Sequence, residues 1–368
     1  MSTPPDPAPP DTAPSDTAPP DTAPSDTAPP DTAPLRAVAL GGGHGLYATL
    51  SALRLLTEDV TAVVTVADDG GSSGRLRGEL GVLPPGDLRM ALAALAEHGP
   101  SGALWGELFQ HRFGGSGALA GHAVGNLLLA GLIEVLGDPV AALDQACRLL
   151  GVRGRVLPMS TEPLVIEAEV AGLGRDPEAV SRIRGQVAVA STPGRVRRVW
   201  VQPSHPKACE QAVAAVRDAE LVLLGPGSWF TSVLPHLMVP DLRQALLDTP
   251  ARRVVVLNLA PQPGETAGFS PEQYLDVLCQ HAPELRIDAV LADTGAVPVP
   301  ERLQRSAAAL GARAVLAPIG EPDGSPRHNP AALADAVRSV LAQASQWDRE
   351  RDSDVSAGPR REESNRWR

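Results

Sequence analysis

The sequence predicts an α/β fold built on a mostly parallel, doubly wound sheet, because apolar strands alternate with helical patterns along most of its length. Residues 35–40 and 60–64 read as buried strands, and the segment between them carries a helical pattern at 46–56. A strand–helix–strand unit of this kind starts a parallel sheet. The alternation returns after residue 206, with expected elements at 207–217 (helix), 221–224, 254–257, 287–291 and 314–316 (strands), and 330–342 (helix).

Composition narrows the class of protein. The 368 residues carry a formal net charge of −11 and are 43% hydrophobic, which suits one large globular domain or two smaller ones. The acidic balance argues against a nucleic-acid partner. Three distant cysteines without metal-binding spacing predict a reducing, cytoplasmic location. No run of about 18 apolar residues exists, so we expect no membrane span.

The chain divides into a folded domain and two tails. Residues 1–34 repeat a Pro/Asp/Thr/Ala unit with six aspartates, too polar to form a core, and predict a disordered tail. We expect the folded domain at 35–344. Short strand-like runs at 151–206 predict a small β-rich insertion within it, and the charged residues 345–368 predict a second disordered tail.

The first strand ends in a glycine-rich turn, Gly41-Gly42-Gly43-His44-Gly45, which leads into a helix. The N–H groups of a helix N-terminus bind anions, so Gly42, Gly43 and His44 are candidate ligand-binding residues. The turn is not the dinucleotide fingerprint, because Leu46 takes the place of the third glycine. It is not a Walker A loop either, since no Gly-Lys-Ser/Thr follows.

The second strand ends in the run 65–77, which carries the strongest signal for a phosphate-bearing ligand. Paired glycines form an anion-binding turn, and serine hydroxyls and arginine add donors. Asp68 is a candidate for a ribose hydroxyl, while Asp68 and Asp69 together are candidate ligands of Mg²⁺. The candidate residues in this part of the chain are Asp68, Asp69, Gly70, Gly71, Ser72, Ser73, Arg75, Asp87 and Arg89.

Three further groups complete the candidate site. His122 and Asn126 stand four residues apart near a predicted helix start, where they would share one face as ligand contacts or as hydrogen-bonded core groups. The strand at 221–224 ends in a glycine turn, in which Ser228 alone could serve as a helix cap. The candidates that follow the strands at 221–224 and 254–257 are Gly225, Gly227, Ser228, Thr231, Asn258, Gln262, Glu265 and Thr266.

These motifs, in this order, resemble the bacterial gluconeogenesis factor family within the CofD-like superfamily. The resemblance spans about residues 35–320 and rests most on the Asp-Asp-Gly-Gly-Ser-Ser-Gly-Arg block at 68–75. It implies a Rossmann-like fold and a nucleotide-diphosphate ligand. The gluconeogenesis-factor branch implies UDP-sugar binding and a role in cell-wall growth and cell morphology on gluconeogenic carbon sources. The transferase branch implies Mg²⁺-dependent transfer of a phospholactyl group to a deazaflavin alcohol.

The sequence departs from the usual family pattern at several polar positions. Met90 stands where Asn is usual, and Gln273-Tyr274 where an Asp-His pair is common. Because these changes remove polar groups, we favour a ligand-binding regulator over a transferase. A nicotinamide-dependent oxidoreductase is disfavoured by the missing third glycine. A second copy of the chain and proteins of envelope synthesis are further candidate partners.

Overall fold

A seven-stranded parallel sheet forms the centre of the protein. The computed structural model describes residues 34–97 and 100–356. The sheet strands are β1 (Ala37–Gly41), β2 (Val60–Val64), β3 (Arg155–Pro158), β7 (Leu221–Leu224), β8 (Arg252–Val256), β9 (Ala289–Asp293) and β10 (Arg313–Ala317). Their order is β10-β9-β8-β7-β1-β2-β3, and each neighbouring pair is parallel. The predicted fold class is confirmed.

The strand order reverses direction at β1. From β1 the chain builds outward through β2 and β3 on one side, and through β7 to β10 on the other. In open α/β sheets, ligands bind outside the carboxyl ends of the strands at such a switch point. The loops that follow β1 and β7 are therefore the first place to look for a ligand site.

Helices cover the sheet and complete its apolar core. They are α1 (Gly43–Leu53), α2 (Gly71–Leu80), α3 (Pro85–Leu95), α4 (Pro100–Gln110), α5 (Val124–Leu136), α6 (Pro139–Leu149), α7 (Gln186–Ala190), α8 (Glu210–Asp218), α9 (Pro240–Asp248), α10 (Pro271–His281), α11 (Pro300–Ala309) and α12 (Pro330–Ser356). The strands β2 and β7 are almost wholly apolar and buried because helices pack on both faces of a parallel sheet.

The β-rich segment differs from the prediction at its start. Its first strand, β3, joins the main sheet beside β2, whereas we expected all of residues 151–206 to form the insertion. The small antiparallel sheet consists of β4 (Val165–Ala171), β5 (Val180–Arg184) and β6 (Arg195–Gln202), in the order β5-β4-β6. A strand of only four residues does not reveal from its own sequence which sheet it will join.

Two helix boundaries near the candidate site also differ. Helix α2 begins at Gly71, so Ser72 and Ser73 lie buried in its first turn instead of in an open loop. Helix α5 begins at Val124, so His122 precedes the helix and does not share its face with Asn126. Helix initiation at a glycine pair overrides the weak helix propensity of glycine here, because the following turn packs against α3 and α5.

The last helix is longer than predicted. We expected it to end near residue 342 and a disordered tail to begin at 345, but α12 extends to Ser356. The remaining predicted tail residues, 357–368, and residues 1–33 lie outside the described part of the chain. None of the helices described is both long and apolar enough to cross a membrane.

Candidate functional site

The four predicted strand ends lie along one edge of the sheet, as the parallel order requires. β1, β2, β7 and β8 are consecutive neighbours, so the loops after them share the carboxyl edge. The candidate residues on these loops nevertheless line two different cavities. The first cavity lies at the switch point between the β1 and β7 loops, and the second lies beside the N-terminus of α2.

The first cavity has a volume of about 630 Å³, and many of its lining residues are glycine, alanine or proline. Of the predicted site residues it contains His44, Gly227, Asn258 and Gln262. The segment 321–330, which the sequence did not suggest, closes the other side through Glu321, Arg327 and His328. A concave, mostly apolar pocket with a few polar groups is typical of a small-molecule site.

A close packing of α1 on the β7 loop shapes this cavity. A side-chain Cβ at Gly45 would lie 2.1 Å from the carbonyl oxygen of Pro226, so only glycine allows the approach. Thr49 Oγ1 donates a hydrogen bond to the carbonyl oxygen of Gly225 at 3.0 Å. Gly227 has φ +138°, a backbone region open mainly to glycine. The glycines of the two turns therefore let the loops meet.

Asn258 fixes the β7 loop from the next strand. Its Oδ1 accepts a hydrogen bond from the Gly227 N–H, and its Nδ2 donates to the Gly227 carbonyl oxygen, both at 2.8 Å. The neighbouring Gln262 donates its backbone N–H to Thr266 Oγ1 at 2.8 Å. Gln262 Oε1 is buried and has no hydrogen-bond partner among the described residues. Asn258 thus orders the cavity wall, and Gln262 carries an unused acceptor beside it.

Three other predicted site residues lie in the core behind this wall. Glu265 accepts hydrogen bonds from the Phe230 N–H at 3.2 Å and from the Thr231 hydroxyl, and burial raises the pKa of its carboxyl group. It caps a π-helical turn, Trp229–Val233. Thr266 bonds the hydroxyl of Tyr274 at 3.0 Å. Thr231, Glu265 and Thr266 are at most 3% exposed and hold the loops after β7 and β8 together.

The N-terminus of α1 faces the carboxylate of Asp87. A Cβ at Gly42 would lie 2.6 Å from Asp87 Oδ2, and the Gly43 N–H stabilises the charged carboxylate by a hydrogen bond. Burial, together with the nearby negative charge of Asp68, raises the pKa of Asp87 to about 7. Asp68 reaches the same region, because a Cβ at Gly86 would lie 2.9 Å from its Oδ2. Asp68 and Asp87 therefore form the carboxylate pair of the site.

Asp69 points away from this pair. Its Oδ2 and Oδ1 accept hydrogen bonds from the N–H groups of Gln186 and Val187, at 3.1 and 2.9 Å, so it caps α7 and anchors the small sheet. Within the described residues, no group of three or more His, Cys, Asp or Glu side chains could hold a metal ion. Mg²⁺ is commonly bound by one or two carboxylates together with phosphate oxygens. Asp68 and Asp87 fit that arrangement, whereas Asp69 does not.

The second cavity, of about 610 Å³, is open and carries two arginines against one aspartate. Gly71, Ser72, Arg75 and Arg112 line it together with Asp69, whose carboxylate is already bonded to the N–H groups of α7. The guanidinium of Arg75 donates to the carbonyl oxygens of Ala118 and Ala120, at 3.2 and 2.8 Å. Neither Arg75 nor Arg112 pairs with a carboxylate among the residues that the structure describes. Together with the N-terminus of α2, two such guanidinium groups favour an anionic ligand.

Four buried side chains connect this cavity to the core. Arg89 Nε donates to Asn126 Oδ1, Asn126 Nδ2 donates to Ser72 Oγ, and Ser72 Oγ bonds His122 Nδ1, each at 2.9 Å. Burial, reinforced by the charge of Arg112, lowers the pKa of Arg89 to about 10. Arg89 Nη1 is buried without a hydrogen-bond partner among the described residues. His122 and Asn126 thus meet at Ser72 although they do not share a helix face.

Sequence reasoning missed two contributors. Arg112 follows α4 in an unremarkable Gln-His-Arg context, and only its position opposite Arg75 reveals it. Gly45 belongs to the predicted turn, but its contact with Pro226 joins segments 181 residues apart (226 minus 45) and leaves no local signal. The remaining candidates Ser73, Gly70 and Ser228 line neither cavity; Ser73 is buried and the other two are partly buried.

Comparison with known proteins places this architecture in a family. Residues 37–317 match the family model described as 2-phospho-L-lactate transferase CofD. A Mycobacterium tuberculosis protein named "Putative gluconeogenesis factor" is 61% identical over 308 residues, covering 83% of this chain and 90% of that protein. The gluconeogenesis factor of Bacillus subtilis is 40% identical over 258 residues, covering 70% of this chain and 78% of that protein.

A solved structure agrees with the fold. The crystal structure of a upf0052 family member from Bacillus halodurans superimposes with a TM-score of 0.73 at 33% sequence identity, covering 84% of this chain and 99% of that one. The family match includes all seven strands of the main sheet and the loops that follow β1, β2, β7 and β8, but not the segment 321–330. The chain belongs to the CofD family, and the relatives that it resembles within that family are gluconeogenesis factors.

Proposed function

We propose that the protein is a gluconeogenesis factor that binds a nucleotide sugar, such as a UDP-sugar, and regulates cell-wall growth and cell shape on gluconeogenic carbon sources without catalysing a reaction. The relatives that this chain matches are named gluconeogenesis factors. The family match and the position of the cavities support a nucleotide-diphosphate ligand. A cytoplasmic location accords with the free cysteines Cys147, Cys209 and Cys279.

The observation that carries the proposal is the division of the site into a neutral cavity and a cationic one. The first cavity offers backbone groups and Gln262 Oε1, which is unpartnered among the described residues; these groups suit a nucleoside. The second offers Arg75 and Arg112 without carboxylate partners, which suit phosphate. β1 and β2 are neighbouring strands, so the loops leading to the two cavities start about 5 Å apart. One nucleotide-diphosphate ligand along this edge would use both.

The polar groups around the cavities support binding better than turnover. The hydrogen bonds of Asn258, Glu265 and Thr231 hold together the loops after β7 and β8. Those of Asp69 cap a helix. Phosphoryl transfer needs a group that orients the attacking hydroxyl in addition to groups that bind the diphosphate. His44 is exposed at the first cavity and His122 is bonded to Ser72, so neither is held by a carboxylate as a general base usually is.

Isothermal titration calorimetry tests the proposal. The purified protein is titrated with UDP-glucose, UDP-N-acetylglucosamine, GDP and NAD⁺, with and without Mg²⁺. We expect a UDP-sugar to bind at least about tenfold more tightly than NAD⁺, which is about 1.4 kcal/mol. Equal or tighter binding of NAD⁺ would contradict the proposal.

The alternative is a CofD-like transferase that moves a phospholactyl-type group from a nucleotide diphosphate to an alcohol acceptor. The family match over residues 37–317 and the Asp68–Asp87 pair favour it. In that reaction Mg²⁺ would be held by Asp68 and Asp87 and would neutralise phosphate charge. Release of GMP from a lactyl-diphosphoguanosine in the presence of a deazaflavin alcohol, detected by mass spectrometry, would identify this activity.

A further inference from the structure

The hydrogen-bond chain Arg89–Asn126–Ser72–His122, here called the relay, has a direction that its chemistry determines. Arginine is only a donor, so the Asn126 atom that faces Arg89 Nε must be the amide oxygen. This assigns the other end of the side chain as the NH₂ group, which donates to Ser72 Oγ. The usual ambiguity in the orientation of an asparagine amide is therefore absent here.

The direction continues to the histidine. The Ser72 hydroxyl receives the Asn126 hydrogen bond and has one hydrogen of its own to donate. Among the described residues, the only other hydrogen-bond partner of Ser72 Oγ is His122 Nδ1, at 2.9 Å. Because Ser72 is only 5% exposed, solvent offers its hydroxyl little competition. Ser72 must therefore donate to Nδ1, which must then be an unprotonated ring nitrogen.

We infer that the relay holds His122 as a neutral imidazole with its proton on Nε2, and that this N–H donates to an oxygen of the anionic ligand in the second cavity. Arg89, Asn126 and Ser72 act as positioning residues. His122 directly follows Gly121 in the chain and is bonded to Ser72, and both of these neighbours line the cavity. Nε2 has no hydrogen-bond partner among the described residues and is not one of the fully buried unpartnered atoms.

The surroundings of the ring favour the neutral form. Burial, reinforced by the charge of Arg75, lowers the pKa of His122, and only Glu79 opposes this shift. With the proton on Nε2 and Nδ1 bonded to Ser72, the ring has no free lone pair toward the cavity. His122 then serves as a hydrogen-bond donor and not as a general base. The ligand in this inference rests on the proposed function, whereas the protonation state of the ring does not.

The protonation state is measured in the ligand-free protein. Long-range ¹H–¹⁵N spectra of histidine rings distinguish the Nε2–H tautomer, the Nδ1–H tautomer and the imidazolium ion. His122 is assigned by the signal missing from His122→Gln. At neutral pH we expect the Nε2–H pattern for His122. An Nδ1–H or imidazolium pattern would overturn the inference.

A nearly isosteric substitution reverses the relay. In Asn126→Asp the group facing Ser72 is an acceptor, so the Ser72 hydroxyl turns toward the new carboxylate and His122 Nδ1 must become the donor. We expect a protonated Nδ1 in this variant. Ser73→Ala is the matched control, because Ser73 lies in the same buried turn and is not bonded to His122, and it should keep the Nε2–H pattern. An unchanged ring in Asn126→Asp, or an equal change in Ser73→Ala, would overturn the relay.

Binding of UDP-glucose then tests the donor role. Glutamine can present an N–H near the position of Nε2, so His122→Gln should bind within about threefold of the wild type, while His122→Ala should lose about tenfold. Equal affinity of His122→Ala and the wild type would overturn the donor role. If the wild type bound no UDP-sugar, the donor role and the proposed function would both fail, but the ring protonation measured without ligand would stand.

Discussion

The two cavities differ in what builds them. The switch-point cavity is shaped by backbone contacts, through Gly45 against Pro226 and Asn258 against Gly227. The second cavity is shaped by side chains, with Arg75 and Arg112 held by backbone carbonyl groups and Ser72 held by the relay. Substitutions at the first should therefore disturb the fold and binding together. Substitutions at the second should weaken ligand binding without changing the stability of the fold. The size of this loss of affinity should depend on the salt concentration.

The largest effect is expected at Gly45. In Gly45→Ala the new Cβ meets the Pro226 carbonyl at 2.1 Å, so α1 must move away from the β7 loop. We expect a loss of about 2–4 kcal/mol in the free energy of unfolding and loss of UDP-sugar binding. Chemical denaturation with urea measures the first and calorimetry the second.

The matched control for this variant is Gly78→Ala. Gly78 also lies in a helix, α2, but nothing stands within 4 Å of its Cβ position. Alanine there should stabilise the protein by up to about 1 kcal/mol through helix propensity. Equal destabilisation of both variants would mean that the contact of Gly45 with Pro226 does not matter.

The cationic cavity should respond differently. The double variant Arg75→Gln/Arg112→Gln removes two of the proposed phosphate contacts, and we expect UDP-sugar affinity to fall about 100-fold at low salt, with little change in the free energy of unfolding. The loss should shrink as the salt concentration rises, because screening weakens the wild type's advantage. Uridine, which lacks phosphate, should bind both proteins alike.

A control for general charge effects is Arg153→Gln. Arg153 is exposed and pairs with Glu58 on the surface, and it lines neither cavity. We expect its UDP-sugar affinity to stay within about twofold of the wild type. A fall comparable with that of the double variant would show that net charge, and not the second cavity, governs binding.

Asp87, which is buried beside the N-terminus of α1, should make stability depend on pH. Its pKa in the folded protein, about 7, lies above the ordinary value of 3.8. The folded state therefore holds this proton more tightly, so the contribution of Asp87 to stability is greatest below about pH 4 and is lost as the pH rises toward about 7. Asp87→Asn should be more stable than the wild type at pH 8 by about 1–3 kcal/mol, and this difference should vanish near pH 4.

Denaturation curves of both proteins across pH 4–8 provide the measurement. Asparagine keeps an oxygen that can accept the Gly43 N–H, so the comparison isolates the charge. Asp144→Asn should have the opposite effect. Asp144 forms an ion pair with Arg155 at 2.8 Å, so this variant should be less stable than the wild type at pH 8. A pH-independent difference between Asp87→Asn and the wild type would contradict the assigned shift.

The sequence predicted the sheet edge better than it predicted the partners along that edge. The local sequence pattern predicts a parallel sheet. In such a sheet the carboxyl ends of the strands, with their glycine and polar residues, lie at one edge. Whether Asp69 faces a metal or caps α7, and whether Ser72 meets a ligand or Asn126, depends on packing between segments more than 50 residues apart. Arg112 carries no motif at all. Long-range register, as for β3, is likewise not encoded in a short window.

The smallest effect is expected from deleting residues 1–34. This segment has six aspartates and no large apolar residue after Met1, so it offers no apolar surface to the folded domain. The free energy of unfolding should change by less than about 1 kcal/mol and UDP-sugar affinity by less than about tenfold. A larger change in either quantity would assign the repeat a role in the site.

The central claim is that one nucleotide sugar binds across both cavities without being converted. It is tested most directly by incubating the protein with UDP-sugars, or with a lactyl-diphosphonucleoside and a deazaflavin alcohol, and following the products by mass spectrometry beside calorimetry. We predict UDP-sugar binding, little dependence of affinity on Mg²⁺, and no release of UMP or GMP. Release of either nucleotide that is abolished in Asp68→Asn would contradict the claim and identify a transferase.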